Sequence, residues 1–550
     1  MKLLLLALFL ISTAATAEIT RVEIASQTPF AGGKSFGAVG PYLRVTGRFY
    51  GDLDPSNPSN RGIVDILSAP RNARGRVEYS ADFDLLRPAD LAKGNGTLFY
   101  DVNNRGNKRL IHLLNDVPAS NALDTPESAG DGFLMRHGFA IAWSGWIPAG
   151  RSFPAAPNLL RLEAPVAEGI EQPVWDEFLF NDGKQMEGRL SFTPASLNKA
   201  QARLTVRERN EAAATPVRWE YSGDAAIRLL PEGTPFRAGA LYQFSYRAKN
   251  PPVSGIGYAA TRDWVAFLRY AARDQAGTPN PLGIGAGQKI SAALAHGTSQ
   301  SGRFLRDMVY NGFNESEDLR IVFDGINPHI ASARLFLNYR FAQPNRAYSM
   351  GYGFLGYPDA SFPFAYEKLR DPLTLHEDGL LERCRARTTC PKILHTVTST
   401  EYWQGGHSLN TTDVRGAADL TLPDNVRIYH FAGTQHVMSA TMPKGVCAAS
   451  ANLVVDPRPG LRALILALDR WVKGGAPPPA SVYPKLADGT LVPDSALKWP
   501  AIPGPGSMPA FTLPRSPNPM AQFDNGKQIA GGVIDNVPPP VKDIRYTVVV

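Results

Sequence analysis

A turn of small residues between a predicted strand and a predicted helix constrains this 550-residue chain more than any other feature. The turn reads His296-Gly-Thr-Ser-Gln-Ser-Gly302. A serine at the centre of such a turn has strained backbone angles, so the residues two before and two after it must be small. Gly297 and Ser301 meet that requirement, although the strict pattern has Gly in the last place. The turn therefore predicts an exposed, nucleophilic hydroxyl on Ser299.

Two other interpretations of this turn stay open. Serine is a favoured N-cap residue, so Ser299 or Ser301 is also able to cap the helix that follows. Ser301 is a poorer nucleophile candidate than Ser299, because Arg303 would then occupy a position that needs a small residue. The amphipathic helical run that includes Phe304 and Leu305 favours the nucleophile over the cap.

A serine hydroxyl needs a base, which in this arrangement follows the last strand of the sheet. His436 fits, because a predicted strand ending at Phe431 and a glycine turn come just before it. The alternative for His436 is a surface loop residue without a catalytic role. His430 lies inside the predicted strand and His296 precedes the candidate nucleophile, so we expect both to have structural roles. Three other histidines come before the last strand and are weaker candidates: His329, His395 and His407.

The third group is a carboxylate that orients the imidazole, and it should follow the penultimate strand. Glu401 has that position, directly after the run from Lys392 to Thr398. Asp324 is the main alternative acid, because it comes just after a predicted strand at Leu319–Phe323, and Asp413 is a more distant one.

A tetrahedral intermediate also needs backbone N–H donors. One is expected from Gln300, the residue after the nucleophile, and the other from the loop Asn103 to Gly106, with Asn104 as the candidate. In the same loop, Arg105 has two open interpretations: binding of a substrate carboxylate, or an ordinary structural ion pair.

The order of predicted elements indicates an α/β fold of the α/β-hydrolase type, with a mostly parallel central sheet flanked by helices, a β-rich insertion and a loop-rich cap. The predicted segments are a signal peptide (1–17), the N-terminal part of the core (18–146), a β-rich insertion (147–257), the core around the turn (258–326), an aromatic cap (327–391), the acid and histidine part of the core (392–475) and a Pro-rich tail (476–550). The cap carries ten aromatic rings, expected either to line an apolar pocket or to pack in the core. They are Phe336, Tyr339, Phe341, Tyr348, Tyr352, Phe354, Tyr357, Phe362, Phe364 and Tyr366.

The N-terminus predicts export. Lys2, an apolar run from Leu3 to Ile11 and the small residues Ala15-Thr-Ala17 form the pattern of a secretory signal peptide. The run is too short to cross a bilayer, and no later stretch is long enough, so no integral membrane segment is expected after signal removal. The predicted location is the periplasm or the external medium.

Charge and cysteine content exclude several classes of function. A net charge of +7, from 57 basic and 50 acidic residues without a basic run, does not favour nucleic acid as a partner. Neither a Cys-x-x-Cys nor a His-Glu-x-x-His motif occurs, so neither a metal nor another cofactor is expected. Three cysteines allow one disulfide, whose pairing the sequence leaves open: Cys384, Cys390 and Cys447.

The chain resembles a family of exported bacterial proteins described as alpha/beta hydrolase domain-containing. The resemblance rests on six motifs: Ala69-Pro-Arg-Asn-Ala-Arg-Gly75, Asn103-Asn-Arg-Gly106, Trp143-Ser-Gly-Trp146, His296-Gly-Thr-Ser-Gln-Ser-Gly-Arg303, Thr400-Glu-Tyr-Trp403 and Gly433-Thr-Gln-His436. It implies the α/β-hydrolase fold and a triad of Ser299, Glu401 and His436, but no substrate. The similar chains continue past Tyr546-Thr-Val-Val-Val550, which implies that this chain stops within a strand, as a fragment or a shortened variant.

These residues together predict a serine hydrolase that cleaves small carboxylic esters through an acyl-enzyme. A lactonase or an acyltransferase would use the same triad, and so would a peptidase. A protein of another class, a binding protein on an inactive hydrolase fold, remains the main alternative, because a fold alone does not determine activity. The oligomeric state is left open.

Overall fold

The computed structural model describes residues 19–151, 153–208, 213–346, 357–372, 374–436, 455–498 and 520–550. The predicted signal peptide and Cys447 lie outside these residues, as do three rings of the predicted cap: Tyr348, Tyr352 and Phe354.

The described residues contain the following strands: β1 (Ile19–Pro29), β2 (Tyr42–Leu53), β3 (Val77–Pro88), β4 (Thr97–Val102), β5 (Ala140–Ser144), β6 (Leu162–Glu163), β7 (Glu171–Leu179), β8 (Glu187–Arg189), β9 (Arg203–Arg207), β10 (Thr215–Pro216), β11 (Trp219–Ser222), β12 (Ala226–Leu229), β13 (Leu241–Lys249), β14 (Ala292–Thr298), β15 (Gly325–His329), β16 (Leu369–Arg370), β17 (Glu377–Asp378), β18 (Lys392–Thr398), β19 (Val426–Phe431), β20 (Met520–Phe523) and β21 (Val541–Tyr546). The α-helices are α1 (Leu110–Leu114), α2 (Phe133–Arg136), α3 (Ile256–Tyr270), α4 (Gln300–Tyr310), α5 (Glu382–Ala386), α6 (Ser399–Gln404) and α7 (Arg458–Val472).

A mixed sheet forms the centre of the molecule, in the order β1-β2-β3-β5-β4-β14-β15-β18-β19, with β6 paired to β3. The strands from β1 to β5 along this order pair antiparallel, and every pair from β5 to β19 is parallel. All six residues of β4 are buried, as expected for a strand that is covered on both faces. The sheet is thus mostly parallel in the half that carries the predicted site.

Helices cover both faces of this sheet. On one face, α3 places Trp264 against Phe49 and Phe83, and α4 buries Phe304 in the same cluster. On the other face, α1, α2 and α7 pack together. The apolar residues of α7 recur every three or four positions, which turns one side of this helix toward the sheet. They are Leu461, Ile465, Leu468 and Trp471, all buried.

The strand predicted at Leu319–Phe323 is wrong, and the strand at this place in the sheet is β15. Val322 and Phe323 are buried, but the side chain of Asn314 binds the backbone N–H of Phe323 at 2.9 Å, and no ladder forms there. β15 is an unusual central strand, because it contains Pro328, which lacks an N–H. Asn327 compensates, since its Nδ2 donates to the carbonyl of Leu394 in β18 at 2.6 Å.

Two smaller antiparallel sheets occupy residues 171–249. One has the order β10-β9-β13-β7 and the other β11-β12-β8. They share an apolar cluster that includes Trp219, Phe236 and Phe244. Phe341, from the predicted cap, packs into the same cluster, which ties this region to the core segment that follows β15.

The described aromatic rings of the predicted cap mainly fill the interior. Five of them are buried, namely Phe336, Phe341, Tyr357, Phe364 and Tyr366. Tyr357 lies against Trp175 with ring centroids 4.6 Å apart, and Phe364 lies against Tyr546 at 4.9 Å. The core-packing alternative therefore accounts for these rings better than an apolar pocket does.

The C-terminal segment is part of the folded protein. β20 and β21 pair antiparallel, and the backbone N–H of Val549 donates to Ser408 Oγ at 3.1 Å. β21 ends at Tyr546, so the last four residues lie beyond the strand. The expectation that the chain stops within a strand is therefore wrong. A disulfide joins Cys384 to Cys390. None of the helices in the described ranges combines the length and apolar character that a membrane span requires.

Candidate active site

Three loops bring Ser299, Glu401 and His436 together at one edge of the central sheet. Ser299 follows β14, Glu401 lies in the first turn of α6 after β18, and His436 follows β19. Because β14, β18 and β19 belong to the parallel part of the sheet, their carboxyl ends share this edge. The chain order of serine, acid and histidine then places all three side chains within reach of one another.

The backbone at Ser299 has the strained conformation that the sequence predicts. Its φ is 58° and its ψ is −115°, a region that residues with a Cβ rarely occupy. A Cβ at Gly297 would lie 2.3 Å from the carbonyl oxygen of Ser301, so position 297 needs glycine. Gly302, which the sequence motif does not require, is as tight, because a Cβ there would lie 2.6 Å from that of Ala331.

The side chain of Ser299 points to the histidine rather than to the helix. No hydrogen bond from this side chain caps α4, although Ser299 occupies the N-cap position. Its Oγ lies 2.8 Å from Nε2 of His436. The neighbouring Ser301 is buried, and its Oγ donates to the carbonyl of Asn103 at 3.0 Å. The capping alternative for Ser299 is thus not what the structure shows.

His436 links the serine to Glu401. Its Nδ1 lies 2.5 Å from Oε1 of Glu401, while 31% of the His436 side chain and 4% of the Glu401 side chain are exposed. Solvent and small molecules therefore reach the imidazole, but the carboxylate beneath it is shielded from water.

Glu401 is held by a capping box at the start of α6. Its second oxygen, Oε2, accepts the backbone N–H of Thr398 at 2.9 Å and also the hydroxyl of Thr398. A threonine followed three residues later by glutamate is the sequence signature of such a box. This signal was present in the sequence, and it explains why Glu401 has a fixed orientation toward the imidazole.

Asp324, the alternative acid, lies at the opposite edge of the sheet. Because β15 begins at Gly325, Asp324 precedes its strand instead of following it. Its carboxylate pairs with Arg269 at 2.7 Å and accepts the backbone N–H of Ala293 at 2.7 Å. Asp413 accepts N–H groups of its own turn. The structure brings neither aspartate to His436.

The two predicted backbone donors differ in availability. Gln300 is the first residue of α4, so its N–H has no acceptor within the helix. The N–H of Asn104, in contrast, donates to the carbonyl of Asn107 at 2.8 Å. The prediction that Asn104 supplies the second oxyanion donor is therefore corrected, because this N–H is already engaged. Gly106 donates to Asn103 Oδ1 at 3.1 Å, so among the described residues the N–H of Arg105 is a better candidate donor in this loop than those of Asn104 and Gly106.

The loop after β4 lies directly against the turn at Ser299. Nδ2 of Asn104 donates to the carbonyl of Thr298 at 2.7 Å. Nη2 of Arg105 donates to the carbonyl of Arg346 at 3.1 Å, and within the described ranges no carboxylate lies within ion-pair distance of Arg105. The ordinary ion pair that was one interpretation of Arg105 is therefore not formed.

The remaining candidate histidines are structural groups. Burial lowers the pKa of His296 and holds the pKa of His329, His395 and His407 well below the ordinary range, so these imidazoles are neutral. Burial also lowers the pKa of His430, whose Nε2 lies 3.2 Å from Ser399 Oγ. None of these five imidazoles makes a hydrogen bond to Ser299, although the backbone carbonyl of His329 accepts the N–H of Ser299 at 2.8 Å.

Comparison with known proteins identifies a family but no individual relative. A family model described as an alpha/beta hydrolase domain matches residues 205–533, which is more than half of the chain and includes Ser299, Glu401 and His436. A search of curated proteins finds no match.

Proposed function

The chain belongs to the alpha/beta hydrolase domain family, and from that membership we propose that it is an exported serine hydrolase of small carboxylic esters. Ser299 is the nucleophile, His436 the base and Glu401 the orienting acid of this proposal. The single observation that supports it most is the contact of 2.8 Å between Ser299 Oγ and His436 Nε2, at a serine with a φ of 58°.

In the proposed reaction, Nε2 of His436 takes the hydroxyl proton as Oγ of Ser299 attacks the ester carbonyl. Glu401 stabilises the imidazolium that forms and keeps Nδ1 as the donor. Backbone N–H groups of Gln300 and of the loop after β4 stabilise the developing oxyanion. The imidazolium then protonates the departing alcohol, leaving an acyl group on Ser299.

Water completes the proposed cycle. It loses a proton to His436 and attacks the acyl-enzyme, and the imidazolium then returns this proton to Ser299 Oγ as the bond to the acyl group breaks and the carboxylic acid leaves. The exposed part of His436 supports access of water to this step. A lactonase or an acyltransferase would share the first half-reaction, and a peptidase would share the triad, so the acyl acceptor and the leaving group separate these activities.

Export is the other part of the proposal. It rests on the predicted signal peptide at residues 1–17, and the disulfide between Cys384 and Cys390 supports it, because disulfides persist mainly in oxidising compartments. Expression of the full chain in a bacterial host, followed by fractionation and N-terminal sequencing, tests it. Mature protein that starts near Glu18 in the periplasm or the medium is the expected result, and an uncleaved cytoplasmic chain would refute export.

Covalent labelling tests the catalytic proposal directly. A fluorophosphonate should tag the wild-type chain, and Ser299→Ala should abolish both the tag and the cleavage of 4-nitrophenyl esters from acetate to palmitate. Loss of the nucleophile is expected to lower kcat by a factor of about 10⁶. Ser301→Ala is the matched control, because it removes a hydroxyl two residues away and should keep the label. A wild-type chain that is folded but takes up no label would favour the binding-protein alternative.

A further inference from the structure

Arg105 differs from the two arginines that lie near it. Arg303 pairs with Asp359 at 2.9 Å, and Arg346 pairs with the same carboxylate at 3.3 Å. Arg105 is half-buried, and among the described residues its side chain makes one hydrogen bond, to a backbone carbonyl. Removing a guanidinium from water without an anionic partner is unfavourable, so this arrangement leaves room for an anion from outside the chain.

The charge around Arg105 favours such an anion. Burial lowers the pKa of Arg105, and the positive charges of Arg346 and Arg109 lower it further. Burial likewise lowers the pKa of Arg303 to about 9, with a smaller contribution from Arg105. Three guanidiniums thus lie close together, with Asp359 as the carboxylate that two of them share. A negatively charged ligand would reduce their mutual repulsion.

Arg105 also has a backbone conformation that a side chain makes unfavourable. Its φ is 50°, in the left-handed region where glycine or asparagine is the usual residue. No ion pair within the described chain repays this strain. Residues in such conformations concentrate at ligand-binding positions, where the strain orients a functional group.

The position of Arg105 relates this cluster to the proposed nucleophile. Asn104, its neighbour, binds the carbonyl of Thr298, and Ser301 binds the carbonyl of Asn103, so the loop and the serine turn form one unit. On the other side, Gln300 donates to the carbonyl of Pro344, and Arg105 to that of Arg346. Arg105 therefore belongs to a loop that packs against the serine turn, and both Arg105 and that turn contact the segment 344–346.

We propose that Arg105 binds a carboxylate of the substrate, so that the preferred ester is anionic, as in a half-ester of a dicarboxylic acid. This inference rests on the proposed function and names its substrate class. A guanidinium presents two parallel N–H groups that match a carboxylate, which gives orientation as well as affinity. The burial of the described cap rings agrees with it, since those rings leave little apolar surface for a long acyl chain.

Two pairs of matched esters test this proposal, because the carboxylate belongs either to the acyl group or to the alcohol. The first pair is 4-nitrophenyl hydrogen glutarate and 4-nitrophenyl 5-methylhexanoate, and the second is 4-acetoxybenzoate and 4-isopropylphenyl acetate. In one pair, kcat/KM should be about 10- to 100-fold higher for the anionic member, the range expected of a charge-assisted pair of hydrogen bonds. Equal values within both pairs would overturn the proposal.

Variants of Arg105 show whether this residue causes the preference. The readout is the ratio of the anionic to the neutral kcat/KM within each variant, which cancels any loss of folded enzyme. Arg105→Gln should bring the ratio close to one, mainly through KM, and Arg105→Lys should restore part of it. Arg71→Gln is the matched control, because Arg71 is exposed and also donates to one backbone carbonyl. A ratio that Arg105→Gln leaves unchanged would refute the role of Arg105.

Binding of glutarate separates this inference from the proposed function. Calorimetric titration should detect glutarate binding to the wild-type chain and not to Arg105→Gln, whether or not any ester is cleaved. Absence of esterase activity together with this binding would reject the proposed function and retain the carboxylate site. Equal binding of sulfate and glutarate, or equal binding of glutarate by both proteins, would overturn the inference.

Discussion

Glu401 and Asp324 are carboxylates next to neighbouring strands of one sheet, but they lie at opposite edges of it. Glu401 follows β18 and contacts a partly exposed imidazole, whereas Asp324 precedes β15 and contacts Arg269 and a backbone N–H. Ligands of open α/β sheets bind at the carboxyl ends of the parallel strands, so the loops there carry functional side chains. Asp324, at the amino end of its strand, has a structural role instead. Whether a carboxylate follows or precedes its strand thus predicts its role better than the residue type does.

The largest expected effect of this comparison is a loss of kcat at the carboxyl edge, on substitution of Glu401. Glu401→Gln keeps the size of the side chain but favours the wrong tautomer of His436, so kcat should fall by about 10⁴-fold. Stability should change little, because glutamine also completes a capping box. Steady-state kinetics on a 4-nitrophenyl ester and urea unfolding measure the two quantities. A kcat close to wild type would mean that Glu401 is only a helix cap.

We expect the second largest effect from acid, which should lower the free energy of unfolding through histidines on the carboxyl side of the sheet. The pKa of His296, His329, His395 and His407 is lowered in the folded state by burial. Below the ordinary histidine pKa of about 6.5, the unfolded chain therefore binds more protons than the folded one, and the free energy of unfolding falls as the pH falls. Urea unfolding between pH 7.5 and 5 measures this. A stability that is constant or rises toward pH 5 would contradict neutral burial, and His395→Gln should flatten the dependence.

A smaller effect is expected at the amino edge. Asp324→Asn removes the ion pair with Arg269, whose side chain is 5% exposed, and the free energy of unfolding should fall by about 1–3 kcal/mol. The kcat of the folded fraction should stay within about twofold of wild type, because Asp324 contacts no member of the site. A kcat loss as large as that of Glu401→Gln would break the comparison between the two edges.

The smallest effect is expected at the capping box of α6, which holds Glu401. Thr398→Ala removes the hydroxyl that donates to Oε2, which should lower the unfolding free energy by about 1 kcal/mol. The kcat should fall several-fold, because Glu401 loses part of its orientation, and Thr398→Ser should restore both quantities. Thr400→Ala, two residues along the same helix, is the control and should leave kcat unchanged. Identical kinetics of the two alanine variants would show that the cap does not position Glu401.

Several elements could be predicted because their signals are local. The extent of β18 and the end of β19 are confirmed as predicted, since both strands are rich in apolar residues and lie next to clear turn residues. The serine turn was predicted in the same way. Chain order then indicated Glu401 and His436, and the structure brings both to Ser299.

The parts that could not be predicted depend on contacts between distant segments. β15 includes Pro328, and the side chain of Asn327 supplies a hydrogen bond to β18 beside this proline. The N–H of Asn104 is engaged by Asn107 because the loop closes on itself, which residue types do not reveal. Two rings of the predicted cap, Tyr357 and Phe364, pack against Trp175 and Tyr546, partners far away along the chain. The capping box at Thr398 is different, because its pattern is local and was open to prediction.

The hydrogen bond from Asn327 to β18 has a consequence for proton positions beside Ser299. Since Nδ2 of Asn327 donates to Leu394, its Oδ1 faces Nδ1 of His296 at 2.8 Å, and Nδ1 must carry the hydrogen. In the neutral ring, Nε2 is then an acceptor for the hydroxyl of Thr298, 2.9 Å away. The hydrogen bonds from Thr298 through His296 and Asn327 to Leu394 therefore all run in one direction, and the amide of Asn327 sets the orientation of a hydroxyl adjacent to Ser299.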